Sequence, residues 1–382
     1  MDLAHYYSYL EVDLEILKQN ALNIKAALEP ERVFIPVVKG NAHGFGTVPV
    51  ARLLIEEVGV KTIACAQICE AIDIRNAGYK DLDILLLGGV PFHGIPYAVK
   101  YDLQMPIYDV ESARLLSNAV KEQGKSRQKI QIKIDTGLHR IGVQPGEKLD
   151  QLLDHIIKLG NLEIDGVYSH FSNAYEINDP FARSQYELYA QSLRQVRNRG
   201  IRPKYIHICC SGAAAWLEDR ISTHARLGCM FIGFSPMSDG SNPFNVRQAA
   251  AWRAFITNIC ELEPGEAAGY GRGNIVSRPT KTATLSIGYC DGFFRPLAMN
   301  KGPLLVNGKI AHYLSVAMDQ IFIDVTDIDC EIGDEVTIFG KDKSSGLFLS
   351  TMELAAYADH NPASLHGYIN GRVKRIYING NT

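Results

Sequence analysis

Eight short apolar runs separated by amphipathic stretches fill the first 234 residues, and this alternation limits the chain to few architectures. The runs lie at 33–39, 62–66, 83–88, 104–109, 129–135, 166–170, 205–211 and 226–234. Most of the stretches between them end in a glycine: Gly59, Gly78, Gly124, Gly160 and Gly200. A glycine just past a helix adopts the left-handed conformation that closes it, at little cost. Eight strand–helix units in about 230 residues match a (β/α)8 TIM-type barrel. A doubly wound open sheet alternates in the same way but usually with fewer strands.

The pattern changes at 235–245, Ser-Pro-Met-Ser-Asp-Gly-Ser-Asn-Pro-Phe-Asn, which reads as a linker. Beyond it, strand-like runs at 254–262, 282–288, 304–306, 321–325 and 335–340 alternate with turn residues. Asn307-Gly308 between apolar residues is a hairpin signature. Only 351–359 looks helical, and the chain closes on a strand-like run at 372–378. The expectation is a barrel over 1–240 and a mainly β domain over 241–382. A chain of 382 residues is long for a single core, which agrees.

A net charge of −3 gives no reason to expect nucleic acid as a partner. No apolar run is long enough to span a bilayer, and residues 1–15 lack the apolar core of a signal peptide, so a cytoplasmic protein is expected. The eight cysteines are Cys65, Cys69, Cys209, Cys210, Cys229, Cys260, Cys290 and Cys330. None has the paired spacing of a zinc site; they read as reduced, mostly core residues, with one or two lining a binding pocket.

Active sites of such barrels gather at the C-terminal ends of the strands, where the unusual polar residues of this chain mostly fall. Lys39 ends the first run and opens the turn Gly40-Asn41-Ala42-His43-Gly44-Phe45-Gly46, whose glycines admit a ligand to the backbone. A lysine at the mouth of a buried strand can be desolvated into a nucleophilic amine. Lys133, Asp135 and Arg140 lie on and after the fifth run, His170 ends the sixth, Ser211 ends the seventh and Arg226 starts the eighth. Each has a plain structural reading when taken alone. Lys39 is then a strand-end lysine, His170 a satisfied core histidine, Ser211 a helix cap before Gly212, and Arg226 half of an interdomain salt bridge. Lys133 inside an apolar strand is costly without a partner. Convergence on one face of a barrel favours a site. No cluster of histidines and carboxylates suggests a metal.

The segment Pro36-Val37-Val38-Lys39-Gly40-Asn41-Ala42-His43-Gly44 closely resembles the lysine motif of the alanine racemase family, enzymes that use pyridoxal 5'-phosphate. Further segments resemble the same family in the same order: Lys133-Ile134-Asp135-Thr136-Gly137-Leu138-His139-Arg140, Tyr168-Ser169-His170-Phe171 and Ala225-Arg226-Leu227-Gly228 in the first part, then Gly269-Tyr270-Gly271, Ser286-Ile287-Gly288-Tyr289-Cys290-Asp291-Gly292, Ala317-Met318-Asp319-Gln320 and the segment 368–377. The resemblance covers nearly the whole chain and implies an amino acid racemase built as a barrel followed by a β domain. It implies that Lys39 carries the cofactor and that Arg226 faces the pyridine nitrogen. Ser211, His43 and the backbone at Gly228 and Cys229 would hold the phosphate. Arg140 would lie beside the cofactor's phenolic oxygen and the substrate carboxylate. Lys133 corresponds to a lysine often carbamylated in the family, positioning Arg140, and His170 to a histidine coupling Arg226 to the second base. That base would be Tyr270. Met318 would contact the substrate carboxylate through its backbone, with Tyr289 and Asp319 in the motifs around it. Tyr270 and Met318 come from the partner subunit in the family, which implies a head-to-tail homodimer with shared sites.

Racemisation takes a proton from one face of the α-carbon and returns one to the other, and two bases on opposite faces do this directly. The resemblance implies that Lys39 would serve one face and Tyr270 the other. A phenol with a pKa of about 10 is a poor base in water and needs help, which His170 and Arg226 could supply. The chain departs from the family pattern at several places. His43 replaces a tyrosine, Phe45 a histidine, Gly371 a tyrosine that usually touches the phosphate, and Lys374 a proline, and Ala317 stands where a larger residue is common. These changes remove bulk beside the substrate, so a racemase preferring serine or a longer amino acid is the alternative to alanine. A related barrel-type decarboxylase is more remote, because Glu263-Pro264-Gly265-Glu266 only partly matches its phosphate motif and the tyrosine motif follows. A non-catalytic carrier of the same cofactor is usually a single barrel without a β domain.

Overall fold

The computed structural model describes residues 5–380, the side chain of Ala363 excepted. It contains two compact units: one is Lys18–Ala42 with Thr47–Val246, and the other takes in the chain up to Leu17, His43–Gly46 and the chain from Arg247 onward. The N-terminal residues therefore leave the barrel range 1–240 expected from sequence. The reason is the strand β1 (Ser8–Asp13), whose Leu10 and Val12 are fully buried while Glu11 and Asp13 are not. That is the alternation of a half-buried strand.

Eight parallel strands form the first unit: β2 (Val33–Pro36), β3 (Thr62–Cys65), β4 (Asp83–Leu86), β5 (Met105–Ile107), β6 (Gln128–Lys133), β7 (Leu162–Tyr168), β8 (Tyr205–His207) and β9 (His224–Leu227). Ladders join β9 to β2, β3 to β4, and β5 through β8. Single bridges Val37–Ala64 and Leu85–Gln104 join the pieces. The β8–β9 seam is held by Arg226 N to Cys209 O at 3.0 Å and Thr223 N to Ile206 O at 2.8 Å, so the strands close into a barrel. Gly59, Gly78, Gly124, Gly160 and Gly200 all have positive φ, from 68° to 104°, as caps that need the left-handed conformation.

The strands are shorter than the apolar runs. Residues 228–234 are not strand at all, although Met230, Phe231 and Ile232 are fully buried; they form turns. The last strand thus sits at 224–227 and not at 226–234, which moves Arg226 from the start of a strand to near its end. Ile35, Val37, Ala64, Leu85 and Tyr205 form an apolar cluster. Six polar residues are buried as well: Gln104, Gln131, Lys133, Asp165, His207 and Arg226.

The second unit continues with β10 (Ala250–Leu262), β11 (Thr280–Leu285), β12 (Pro303–Val306), β13 (Lys309–Val316), β14 (Ile321–Asp324), β15 (Glu335–Lys341), β16 (Phe348–Leu349) and β17 (Lys374–Ile378). The long β10 pairs with β11, β15 and β1, and β1 also takes β17 alongside it. The β10–β15 pairing closes β10, β11, β14, β13, β12 and β15 on themselves. The expected hairpin turn is present, with Asn307 at φ 46° and Gly308 at φ 78° between β12 and β13. The unit is less purely β than expected: besides Thr351–Ala358 it holds helices at Arg295–Met299 and Pro362–Gly367. Pro296 and Pro362 open these short helices, at positions where a missing N–H costs nothing. All eight cysteines are free, but only Cys65, Cys209 and Cys330 are buried, fewer than the sequence suggested; Cys69 and Cys260 are exposed.

Candidate active site

Lys39 lies three residues beyond β2, and its side chain is exposed, not desolvated as its position after a buried run suggested. The backbone after it makes an uncommon turn. Gly40, Asn41 and Ala42 take left-handed φ/ψ of 64°/48°, 55°/47° and 51°/51°, and His43 follows at φ 57°. For residues with a Cβ this costs about 1–2 kcal/mol each, so something must impose it. Glu70 does much of that. Its carboxylate accepts from Gly40 N at 2.5 Å, Ala66 N at 2.9 Å and Gln67 N at 3.0 Å. Asn41 Oδ1 accepts from Thr47 N at 2.9 Å. Further on, a Cβ on Gly44 would stand 2.3 Å from His366 O, so only glycine fits. Arg375 Nε and Tyr377 Oη donate to Gly44 O and Phe45 O, each at 2.9 Å. A rigid backbone thus carries a lysine whose ammonium has no hydrogen-bond partner among the described residues. His43 lies in the same turn, half-buried.

Arg226 is the centre of the barrel mouth and almost fully buried. Its Nη1 donates to His207 O at 2.8 Å and faces His207 Nδ1; its Nη2 donates to Ser169 O at 2.8 Å and faces His170 Nδ1 at 3.2 Å. Among the described residues no carboxylate pairs with it, so the salt-bridge alternative finds no partner there. Among the described residues its Nε–H has no partner. Burial, and then the positive charge of Arg226, hold His170 and His207 well below the usual histidine range, so both are neutral. Each therefore presents a bare Nδ1 to the guanidinium and keeps its proton on Nε2.

Lys133, Tyr168 and His207 are the last residues of three neighbouring strands. The Tyr168 ring stacks on His207 at 5.1 Å and 7°. Lys133 Nζ lies 4.7 Å from the Tyr168 ring centre, and the Arg226 guanidinium 5.3 Å from it. Burial and the charges of Arg226 and Arg140 push the Lys133 amine well below its usual value. The surroundings thus favour the neutral form of this amine. Arg140 is exposed on the loop that follows β6. Asp135 shapes that loop: Oδ1 accepts from Gly137 N and His139 N, and Oδ2 meets His139 Nδ1 and Gln144 Nε2, all at 3.0 Å. Ser211 is buried past the end of β8 and accepts from Gly228 N at 3.2 Å, beside Cys229. Burial pushes the Cys229 thiol up to about 11, against its bond to Ser211, and keeps it protonated.

In the second unit the three C-terminal motifs meet. A Cβ on Gly288 would lie 2.4 Å from the Met318 carbonyl and from Asp319 N, and one on Gly292 would lie 2.0 Å from Tyr368 O. Cys290 N donates to Met318 O at 2.8 Å, and Asp291 accepts from Gly288 N at 2.8 Å and Arg372 Nε at 2.9 Å. Met318 and Asp319 are exposed, as is Tyr289. Tyr270 is 84% exposed on a short turn after Gly269. Nothing lies within 4 Å of a Cβ built on Gly371.

Lys133, His170 and Arg226 thus come together in the first unit, close enough to Arg140 to feel its charge. Four residues around them escaped the sequence reading: Glu70, Gln131, Tyr168 and His207. His207 carried a signal, being a histidine in an apolar run. Glu70 carried none, because its role depends on a turn thirty residues away.

The chain matches the models of the alanine racemase N-terminal domain over residues 12–236 and of the alanine racemase C-terminal domain over 249–377. It is 34% identical to alanine racemase 2 of Caldanaerobacter subterraneus subsp. tengcongensis, over 97% of this chain and 94% of that protein. Among solved structures it resembles the alanine racemase of Streptomyces coelicolor A3(2), with a TM-score of 0.91 and 27% identity over 99% of both chains. It also resembles that of Clostridium difficile 630, with a TM-score of 0.90 and 29% identity over 98% of this chain and 96% of that one.

Proposed function

The chain belongs to the alanine racemase family and is an amino acid racemase of that type, and from that premise we propose that it uses pyridoxal 5'-phosphate, with Lys39 and Tyr270 as its two bases. The observation that carries the cofactor reading is Arg226: a buried guanidinium, fixed by two neutral histidines and three carbonyls, with one N–H left over. That N–H suits a neutral ring nitrogen as acceptor. An arginine does not hand over its proton, so such a ring nitrogen stays unprotonated. When bound, the cofactor supplies an electron sink that acidifies the substrate's α-hydrogen.

The residues of this chain do the rest. Lys39 holds the cofactor and serves one face of the α-carbon. Ser211 with Gly228, Cys229 and His43 receives the phosphate. Arg140 takes the substrate carboxylate. The Lys133 amine, whose surroundings favour its neutral form, can add to carbon dioxide, forming an N–C bond and releasing a proton, to give a carbamate anion near Arg140 and Arg226. His170 keeps an Nε2–H donor beside Arg226. The Tyr270 phenol serves the opposite face in a second copy of the chain, with Met318, Tyr289 and Asp319; its 84% exposure supports that head-to-tail dimer. Free thiols throughout support a cytoplasmic location, and among the described residues no helix is long and apolar enough to cross a membrane. Alanine is the substrate this reading favours. The open space at Gly371 supports serine or a longer amino acid as a second substrate.

The test is a panel of L-amino acids incubated with the purified enzyme and read by chiral chromatography, together with borohydride reduction and peptide mapping. D-amino acids should appear, and the label should sit on Lys39. Mixing Lys39→Ala with Tyr270→Phe under subunit exchange should restore part of the activity. A label on another lysine, or no recovery despite exchange, overturns the assignment concerned.

A further inference from the structure

A chain of buried hydrogen bonds runs from Arg226 through His207, Gln131 and Gln104 to Asp165. His207 Nε2 lies 3.1 Å from Gln131 Oε1. Gln131 Nε2 donates to Gln104 Oε1 at 2.5 Å, and Gln104 Nε2 donates to Asp165 Oδ2 at 3.0 Å. Gln131 and His207 are 1% and 0% exposed. Asp165 reaches this chain through a bulge: Ile130 pairs with Ile164 and Gln131 with Gly166, so Asp165 is the extra residue of β7. A bulge re-aims a side chain in this way.

The chain has only one possible sense. A carboxylate accepts and cannot donate, so Asp165 requires the Gln104 amide to present its nitrogen. Gln104 then offers oxygen to Gln131, which must present nitrogen there and oxygen to His207. His207 must donate from Nε2, which leaves Nδ1 bare. At the other end a guanidinium only donates, so Arg226 also requires a bare Nδ1. Both ends demand the same tautomer.

The site is built for this arrangement. A Cβ on Gly166 would stand 1.7 Å from Gln131 Oε1 and 2.3 Å from its Cδ. Gly166 does not have positive φ, so alanine is excluded there by the seated amide and not by the backbone.

We propose that Gln131, Gln104 and Asp165 are positioning residues, which lock the ring and tautomer of His207 and thereby aim the unengaged Nε–H of Arg226. The effect on turnover rests on the racemase reading; the tautomer does not. The groups facing His207 are Arg226, Lys133 and His224, with Tyr168 stacked on the ring.

The test uses the full chain labelled with 15N in the histidine rings, with His207 assigned by loss of its signals in His207→Asn. The wild type should show a neutral ring protonated on Nε2, unchanged between about pH 8 and 6. Gln131→Leu and Gly166→Ala should both shift the two nitrogen resonances and move the visible absorption of the bound cofactor. They should lower kcat about ten- to a hundredfold while KM changes less than about twofold. Gln131→Glu, which keeps an oxygen toward Nε2, should retain the proton there. Wild-type shifts and absorption in both Gln131→Leu and Gly166→Ala would overturn the proposal. Absence of racemisation in the wild type would overturn the functional reading and leave the nitrogen shifts to judge the relay.

Discussion

Acidification should destabilise this protein steeply and well above the range in which its carboxylates titrate. Four imidazoles are held neutral. Burial, then neighbouring cations, keeps His170 and His207 well below their ordinary value. Burial, then Lys204, takes His224 to about 4, with Asp83 opposing. Burial, then His43, takes His366 to about 3. In the unfolded chain each returns to about 6.5. The folded pKa lies below the unfolded one in every case, so stability is intact above pH 6.5 and is lost as the pH falls toward the folded values. Each group contributes a slope of about 1.4 kcal/mol per pH unit, and four give about 5 kcal/mol per unit near pH 5. At an unfolding entropy of about 2 cal/mol/K per residue, that slope lowers Tm by about 7 °C per pH unit.

His366 separates this cause from others. Neither of its ring nitrogens has a hydrogen-bond partner among the described residues, and the ring packs edge-on against Phe45 and Phe339. His366→Leu removes one titrating group and two unsatisfied nitrogens at similar volume. It should cut the slope by about a quarter and raise stability at pH 7.5 by about 1–3 kcal/mol. Calorimetry from pH 7.5 to 5 at constant ionic strength measures both. A wild-type decline below about 2 °C per pH unit, or a His366→Leu slope equal to wild type, would refute the reasoning.

Other outcomes follow from the site. Glu70→Gln sets an NH2 group against at least one of three backbone N–H donors and should cost about 1.5–3 kcal/mol, read as a lower Tm together with slower borohydride labelling of Lys39; an unchanged Tm would remove Glu70 as the clamp. Asp135→Asn should loosen the loop that carries Arg140 and raise KM for the amino acid more than it lowers kcat, and equal effects on both would point elsewhere. Gly371→Tyr should shift the ratio of kcat/KM between alanine and a longer amino acid toward alanine by about ten- to a hundredfold. An unchanged ratio would mean that position 371 does not face the substrate.

Features set within a few residues were legible in the sequence alone. The glycine caps, the Asn307-Gly308 hairpin and the eight-fold alternation follow from local backbone preference and hydrophobic period, which neighbours along the chain determine. So does the existence of a special turn after Lys39. The left-handed course from Gly40 was not legible, since it is clamped by Glu70, thirty residues away. Strand ends were misread wherever apolar residues are buried without pairing. Residues 228–234 look like a strand because burial, not hydrogen bonding, selects their side chains, and Arg226 was misplaced as a result. The course of β1 depends on partners at 250–254 and 374–378, which its own alternation does not name. The protonation pattern around Arg226 belongs to the tertiary structure alone. It depends on which end of two amides faces which neighbour across four strands, and that is decided only when Asp165, Gln104, Gln131 and His207 meet inside the closed barrel.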